Sequence, residues 1–337
     1  MGLSPSRSGL SSPGRWGSRL VTTSSAHHTP VLRERVFALL APALTRPGAV
    51  FVDATVGLGG HSEYALRTFP DLTVIGIDRD ASALEISRDR LAPWGVRLHL
   101  VHAVYDEIPR VLADARIRSV DGILFDLGVS SMQLDDPERG FAYSIDAPLD
   151  MRMSTTDERT AADIVNDYSE AELTSILREF GEERFAARIA RGIVRARAQE
   201  PITNSARLVE IIRAAIPAAA RRTGGNPAKR TFQALRVEVN GELDVLRSAI
   251  PAALDVLNVG GRLVVLSYQS LEDRIVKAEF TRRTTLDVPP DLPFVPEGSE
   301  PSFELLVRGS QQASASEVKD NPRAASVRLR AIERIAA

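Results

Sequence analysis

The sequence predicts an α/β protein in which a parallel sheet covered by helices is interrupted by an all-helical insertion. Three observations predict it. From Val31 onward, short apolar runs alternate with helical stretches in the order βαβαβ. A glycine-rich turn sits where the first run hands over to a helix, a place where such sheets bind ligands. After Leu127 the alternation gives way to a loop and then to helices, and it resumes near Phe232.

Taken in order, Arg33 to Leu44 reads as an amphipathic helix that Pro47-Gly48 ends, and Val50 to Ala54 as the first buried strand. A helix over Ser62 to Thr68 leads to a second strand at Thr73 to Ile77 and a helix at Ser82 to Leu91. Arg97 to Val101 and Gly122 to Leu127 supply strands three and four. The stretch to Thr160 reads as loop, and Ala161 to Ala219 as helices. One helix over Phe232 to Leu257, a turn at Asn258-Val259-Gly260-Gly261 and a strand at Arg262 to Ser267 complete the sheet pattern. Phe303 to Arg308 and Ser326 to Ala331 read as late strands separated by a mobile polar loop. The expected organisation is a sheet domain over 28–135 and 230–337, a helical insertion over 136–229, and a tail over 1–27.

Composition narrows the function. A chain of 337 residues suits two domains, or one with a large insertion. No apolar run approaches the roughly 20 residues of a membrane-spanning helix, so no membrane contact is expected. The absence of cysteine excludes disulfides, a thiolate nucleophile and cysteine-ligated metal, and no metal site is expected. A formal net charge of -2 does not advertise nucleic-acid binding, so local charge matters more. Met1 to Arg33 holds no acid and is rich in Ser, Gly and Arg, as a transit peptide can be. Its Pro and Gly breakers and lack of an amphipathic pattern favour a disordered tail or a start placed upstream.

The stretch DATVGLGGHS, Asp53 to Ser62, places Gly57, Gly59 and Gly60 where backbone can approach a ligand without a Cβ between them. Asp78 closes the second strand, where a carboxylate can accept the hydroxyl hydrogens of an adenosine ribose. The plainer alternative is a tight turn followed by a helix cap at Asp78. A nicotinamide dehydrogenase would use the same two elements, but its G-x-G-x-x-G fingerprint is incomplete here, with Ser62 in the last position. Neither a catalytic His nor a Tyr–Lys pair of the dehydrogenase type stands out after the sheet, and the Gly260-Gly261 turn entering the Arg262 strand favours a methyltransferase. A third class is a scaffold that binds RNA and keeps a vestigial fold; the intact glycine turn and both acids, Asp78 and Asp126, argue against it.

Several long segments resemble one family, the ribosomal RNA small-subunit methyltransferase H (MraW) family. They read HTPVLRERV at His28 to Val36, DATVGLGGHS, DGILFDLGVSSMQLDDPERGF at Asp121 to Phe141, PLDMRM at Pro148 to Met153, GEERFAARIARGIV at Gly181 to Val194, RTFQALRVEVNGEL at Arg230 to Leu243, and SLEDRIVK at Ser270 to Lys277. NPRAASVRLRAIER closes the chain. The resemblance spans about Thr29 to Arg334, with the motifs in the family's order. It implies a class I, Rossmann-like methyltransferase sheet and S-adenosyl-L-methionine as cofactor. It implies a reaction at N4 of a cytosine in the decoding centre of small-subunit (16S) ribosomal RNA. Cytoplasmic location follows, with the RNA or the assembled small ribosomal subunit as partner; a homodimer is also envisaged. It further implies cofactor contacts from Gly59, Gly60, His61, Asp78, Tyr105, Asp126 and Gln133. The family often has His and Phe before Ser-Leu-Glu-Asp-Arg; this chain has Tyr268-Gln269, so no role of that histidine carries over. The loop from Pro289 to Ser316 is also poor in lysine.

Each implied contact has a physical task. Tyr105 can stack on adenine, and the backbone from Gly59 to His61 can face the methionine part, although Tyr105 and His61 can equally pack or cap. Asp126, ending the fourth strand, is the candidate catalytic acceptor for the amino group. Amino-group methyltransferases often carry Asp or Asn, two prolines and an aromatic there; this chain has Asp126-Leu127-Gly128-Val129-Ser130. For RNA, Arg178 to Arg236 holds thirteen Lys or Arg against five Glu. Arg184, Arg188, Arg191 and Arg195 recur at helical spacing on one face that can track phosphates, or can simply be solvated. The resemblance favours RNA contact and adds Arg221, Arg222, Lys229 and Arg230 around a Gly-Gly-Asn-Pro turn.

Overall fold

The computed structural model describes residues 30–221, 226–286 and 300–337. The tail expected at 1–27 lies outside them. The chain runs α1 (Arg33–Leu44), β1 (Val50–Asp53), α2 (Gly60–Thr68), β2 (Thr73–Asp78), α3 (Ala81–Leu91), β3 (Leu98–His102), α4 (Ile108–Asp114), β4 (Val120–Asp126) and α5 (Ser131–Asp135). Five helices follow: α6 (Ala161–Asp167), α7 (Glu170–Glu179), α8 (Ala186–Arg197), α9 (Ser205–Ala215) and α10 (Ala218–Arg221). The chain then returns through α11 (Lys229–Asn240), α12 (Glu242–Asp255), β5 (Leu257–Ser267), α13 (Ser270–Thr284), β6 (Phe303–Leu305), α14 (Ala315–Asp320) and β7 (Arg328–Arg334).

The seven strands form one sheet in the order β3-β2-β1-β4-β5-β7-β6. Strands β1 to β5 are parallel, and β7 runs antiparallel between β5 and β6. Both faces are covered, which explains why the strands read as continuous apolar runs. Phe51 and Leu124 pack with α1 and α2 on one side, while Val52, Ile123 and Phe125 pack with α4, α12 and α13 on the other. A third core joins Phe141, Met153, Ile164, Leu177, Ile189 and Leu208 to Phe232 and Leu235, so α11 packs on the helices that precede it.

Several details differ from the sequence expectation, among them α5 inside the stretch expected as loop to Thr160 and a last strand that begins at Arg328. The single helix expected over 232–257 is two helices, because Gly241 adopts φ 59° and turns the chain between α11 and α12. The turn expected at 258–261 is a bulge inside β5: the register passes from Val120↔Leu257 to Gly122↔Arg262, and Gly260 at φ 77° absorbs the extra length. The polar stretch expected as a mobile loop contains α14, where Ser314 caps the helix by accepting from the Glu317 N–H. The Glu317 carboxylate accepts from the Leu32 N–H at 2.6 Å and ties this strap to the start of α1.

Candidate functional site: a cavity between the strand ends and the inserted helices

Strands β1 and β4 are neighbours, and the order reverses between them, so their connections diverge and leave a crevice at the carboxyl ends. A cavity of about 1390 Å³ opens there and runs on to the inserted helices. Asp78 ends β2 at its wall. One carboxylate oxygen accepts from the Gly57 N–H at 2.8 Å, the other from the Asp80 N–H at 2.9 Å. Burial raises its pKa to about 6 despite those two donors. The carboxylate is thus aimed by backbone on both sides.

The glycines divide their work. Gly59, at φ 78°, caps α2, and a Cβ there would lie 3.0 Å from Leu91 Cδ1; it packs against α3 and is not on the cavity wall. Gly57, Gly60 and His61 are on the wall. Tyr105 lines it as well, edge-on to Phe125 with ring centroids 5.4 Å apart, and burial raises its phenol pKa. Gln133, buried in α5, spends its amide on Asp80 Oδ2 (2.9 Å) and its carbonyl on the Ser130 N–H (3.0 Å).

Asp126 sits at the end of β4, its backbone N–H donating to Thr55 Oγ1 at 2.7 Å. Its Oδ1 accepts the Tyr268 hydroxyl at 2.7 Å, and burial raises that phenol's pKa well above the usual value, helped by the Asp126 charge. Oδ2 lies 3.5 Å from His61 Nε2. Both His61 ring nitrogens and Asp53 Oδ1 are buried without a hydrogen-bond partner among the described residues. Asp53 holds the Ser62 hydroxyl at 2.7 Å, and burial raises its pKa.

The opposite wall comes from the inserted helices and α11. Phe141, Tyr143, Phe185 and Phe232 give it aromatic surface, and Arg184, Lys229 and Arg230 bring positive charge beside Glu182 and Glu183. Three of the four striped arginines, Arg188, Arg191 and Arg195, lie on the exposed face of α8, whose other face buries Ile189 and Ile193. Arg184 stands in the turn before the helix, its guanidinium 4.6 Å from the Phe185 ring centroid. The three helical arginines are outside the cavity, and Arg191 meets Glu170 at 3.4 Å. Arg222 and the Arg221 side chain lie outside the described residues.

Sequence reasoning missed the groups that orient these residues. Tyr268, noted only as a departure, is the hydrogen-bond donor to Asp126 across 142 positions. Arg236 holds Glu242 through two hydrogen bonds of 2.7 and 2.8 Å, beside Glu272, which burial drives toward its neutral form. Asp80 gathers Gln133 and Arg139. An Asp two residues after the acid that ends β2 was the available signal for the last of these.

A parallel sheet of this order with its antiparallel β7, a backbone-aimed acid ending β2 and a cavity at the switch point together define a class I, Rossmann-like methyltransferase architecture. The chain belongs to the MraW methylase family, whose profile it matches over residues 25–335. It is 63% identical over 311 residues to a protein from Nocardioides named ribosomal RNA small subunit methyltransferase H, covering 92% of this chain and 98% of that one. A protein of the same name from Frankia alni is 64% identical over 312 residues, 92% of this chain and 95% of its own. A solved putative methyltransferase from Streptococcus mutans, in complex with SAH, aligns at TM-score 0.42 and 11% identity over 90% of this chain and 98% of that one, too distant to bear on the site.

Proposed function

We propose that this methylase transfers a methyl group from S-adenosylmethionine to the N4 amino group of a decoding-centre cytosine in small-subunit ribosomal RNA. The observation that carries the reading is the two-walled cavity: a nucleoside-type acid and turn face an aromatic, basic wall. Membership of the MraW methylase family, with relatives named ribosomal RNA small subunit methyltransferase H, supports ribosomal RNA as the acceptor.

The residues present fit the cofactor. Asp78 is set to accept a ribose diol, Tyr105 offers a ring for adenine, and Gly60 and His61 border the space for the amino-acid part. When bound, the cofactor supplies an electrophilic methyl on a sulfonium. The protein's part is to orient the amino group, whose lone pair is delocalised into the cytosine ring. Asp126 Oδ1 is taken by Tyr268, which leaves Oδ2 to accept an amino hydrogen and favour the localised lone pair. The base reaches the cavity only unstacked, and the aromatic wall offers it a surface to replace the lost stacking.

The test is methylation by the purified protein with labelled S-adenosylmethionine and either naked RNA or assembled small subunits, read by nucleoside mass spectrometry. Label in N4-methylcytidine is expected; label at carbon 5 or in another base would overturn the N4 assignment. The substrate that accepts label faster identifies the partner.

A further inference from the structure

Beyond the residues that face the ligand space, one buried arginine joins the two walls. Arg139 follows α5 in the short turn Pro137–Arg139 and is 11% exposed at its side chain. Its Nη1 lies 3.0 Å from Asp80 Oδ2, and Asp80 is 2% exposed. Its Nη2 donates to the carbonyls of Arg152 (3.0 Å) and Met153 (2.8 Å), and Met153 lines the cavity on the insertion side. Asp80 in turn caps α3 through the Ser82 N–H and receives Gln133 Nε2, and its own N–H aims Asp78 Oδ1. A second link runs beside it: Arg79 donates to Asn240 O and Asp157 Oδ2, and the Asn240 amide holds Met153 N–H and Met151 O.

We infer that Arg139 is a positioning residue that sets the Asp78 carboxylate through Asp80 while fixing the Met153 segment of the facing wall. Asp80 is a buried carboxylate whose outer oxygen is held by two donors on the α5 side, Arg139 and Gln133. The other oxygen caps α3 at the Ser82 N–H, so the carboxylate held at both ends fixes the turn whose Asp80 N–H is one of the two donors that orient Asp78. A lysine keeps the charge but cannot span one carboxylate and two carbonyls at once, since it lacks the planar fork. The inference rests on the cofactor reading above, in which Asp78 takes the ribose hydroxyls.

The test uses Arg139→Lys and measures binding of S-adenosylhomocysteine and of its 2′,3′-dideoxyribose counterpart by calorimetry. Arg139→Lys is expected to weaken S-adenosylhomocysteine on the order of tenfold, the worth of a misplaced carboxylate hydrogen bond, and to leave the dideoxy ligand unchanged. Equal losses for both ligands, or no loss for either, would overturn the inference, because a general loosening of the fold does not distinguish the two riboses. Should Arg139→Lys not fold, Gln133→Met removes the other donor to Asp80 and keeps the ion pair; the same ribose-selective loss is expected. Failure of the unaltered protein to bind S-adenosylhomocysteine would instead overturn the cofactor reading, and the inference with it.

Discussion

The two walls of the cavity are built on different physical terms. On the sheet side, the acids are fixed by directed hydrogen bonds: Asp78 is held by two N–H groups, and Asp126 by Thr55 through its backbone and by Tyr268 through its carboxylate. On the inserted side, aromatic rings line the space, and Arg188 and Arg195 stand exposed on α8 beside Arg191, which meets Glu170 of α7 at 3.4 Å. The first wall is an orienting device, and its groups cost stability if displaced. The second is an electrostatic surface whose groups can be exchanged with little effect on folding. Geometry should therefore govern the chemistry and the cofactor, while charge governs the polymer.

Four changes test that division, from the largest effect to the smallest. Asp126→Asn is expected to lower kcat on the order of 10²–10³-fold by removing the acceptor, with S-adenosylhomocysteine affinity nearly kept; a loss confined to cofactor affinity would make Asp126 a binder instead. Asp78→Asn is expected to weaken the cofactor by roughly tenfold or more in calorimetry while RNA affinity holds. Charge reversal at Arg188 and Arg191 is expected to weaken RNA binding several-fold and reduce the slope of log K against log salt by about 2, with cofactor affinity unchanged. An unchanged salt slope would make the α8 stripe a solvated face. Gly241→Ala, at φ 59° with open space where its Cβ would go, is expected to cost about 1 kcal/mol in denaturant unfolding through backbone strain alone.

The pH dependence follows from Asp78. Its folded pKa lies above the ordinary 3.8, at about 6, because burial disfavours the charge. The folded protein therefore holds this proton more tightly than the unfolded chain, and the group's contribution to stability declines as pH rises from 3.8 to about 6. In the proposed role the ionised Asp78 accepts the ribose hydroxyls, so S-adenosylhomocysteine affinity is expected to rise over the same window and level off above it. Asp78→Asn should flatten that rise in a titration of Kd against pH.

Local patterns in the sequence reveal local structure. Strands β1 and β2 were legible because buried parallel strands are continuous apolar runs between breakers, and α1 because its apolar spacing ends at Pro47-Gly48. Asp78 and the glycine turn were legible because a strand-to-helix junction leaves few residue types free. The bulge at Gly260 and the break at Gly241 were less so, since a glycine marks a permitted left-handed residue without saying whether the chain uses it as turn, bulge or cap. Pairings across the fold left no local trace. Tyr268 with Asp126, Arg236 beside Glu272 and Arg139 on Asp80 join segments whose periodicity carries no information about one another.

The most direct test of the central claim is nucleoside mass spectrometry of small-subunit ribosomal RNA from cells with and without this protein. Loss of N4 methylation at one cytidine is expected, restored by the unaltered protein and not by Asp126→Asn. An unchanged cytidine N4 spectrum, or loss of a different modification, would contradict it.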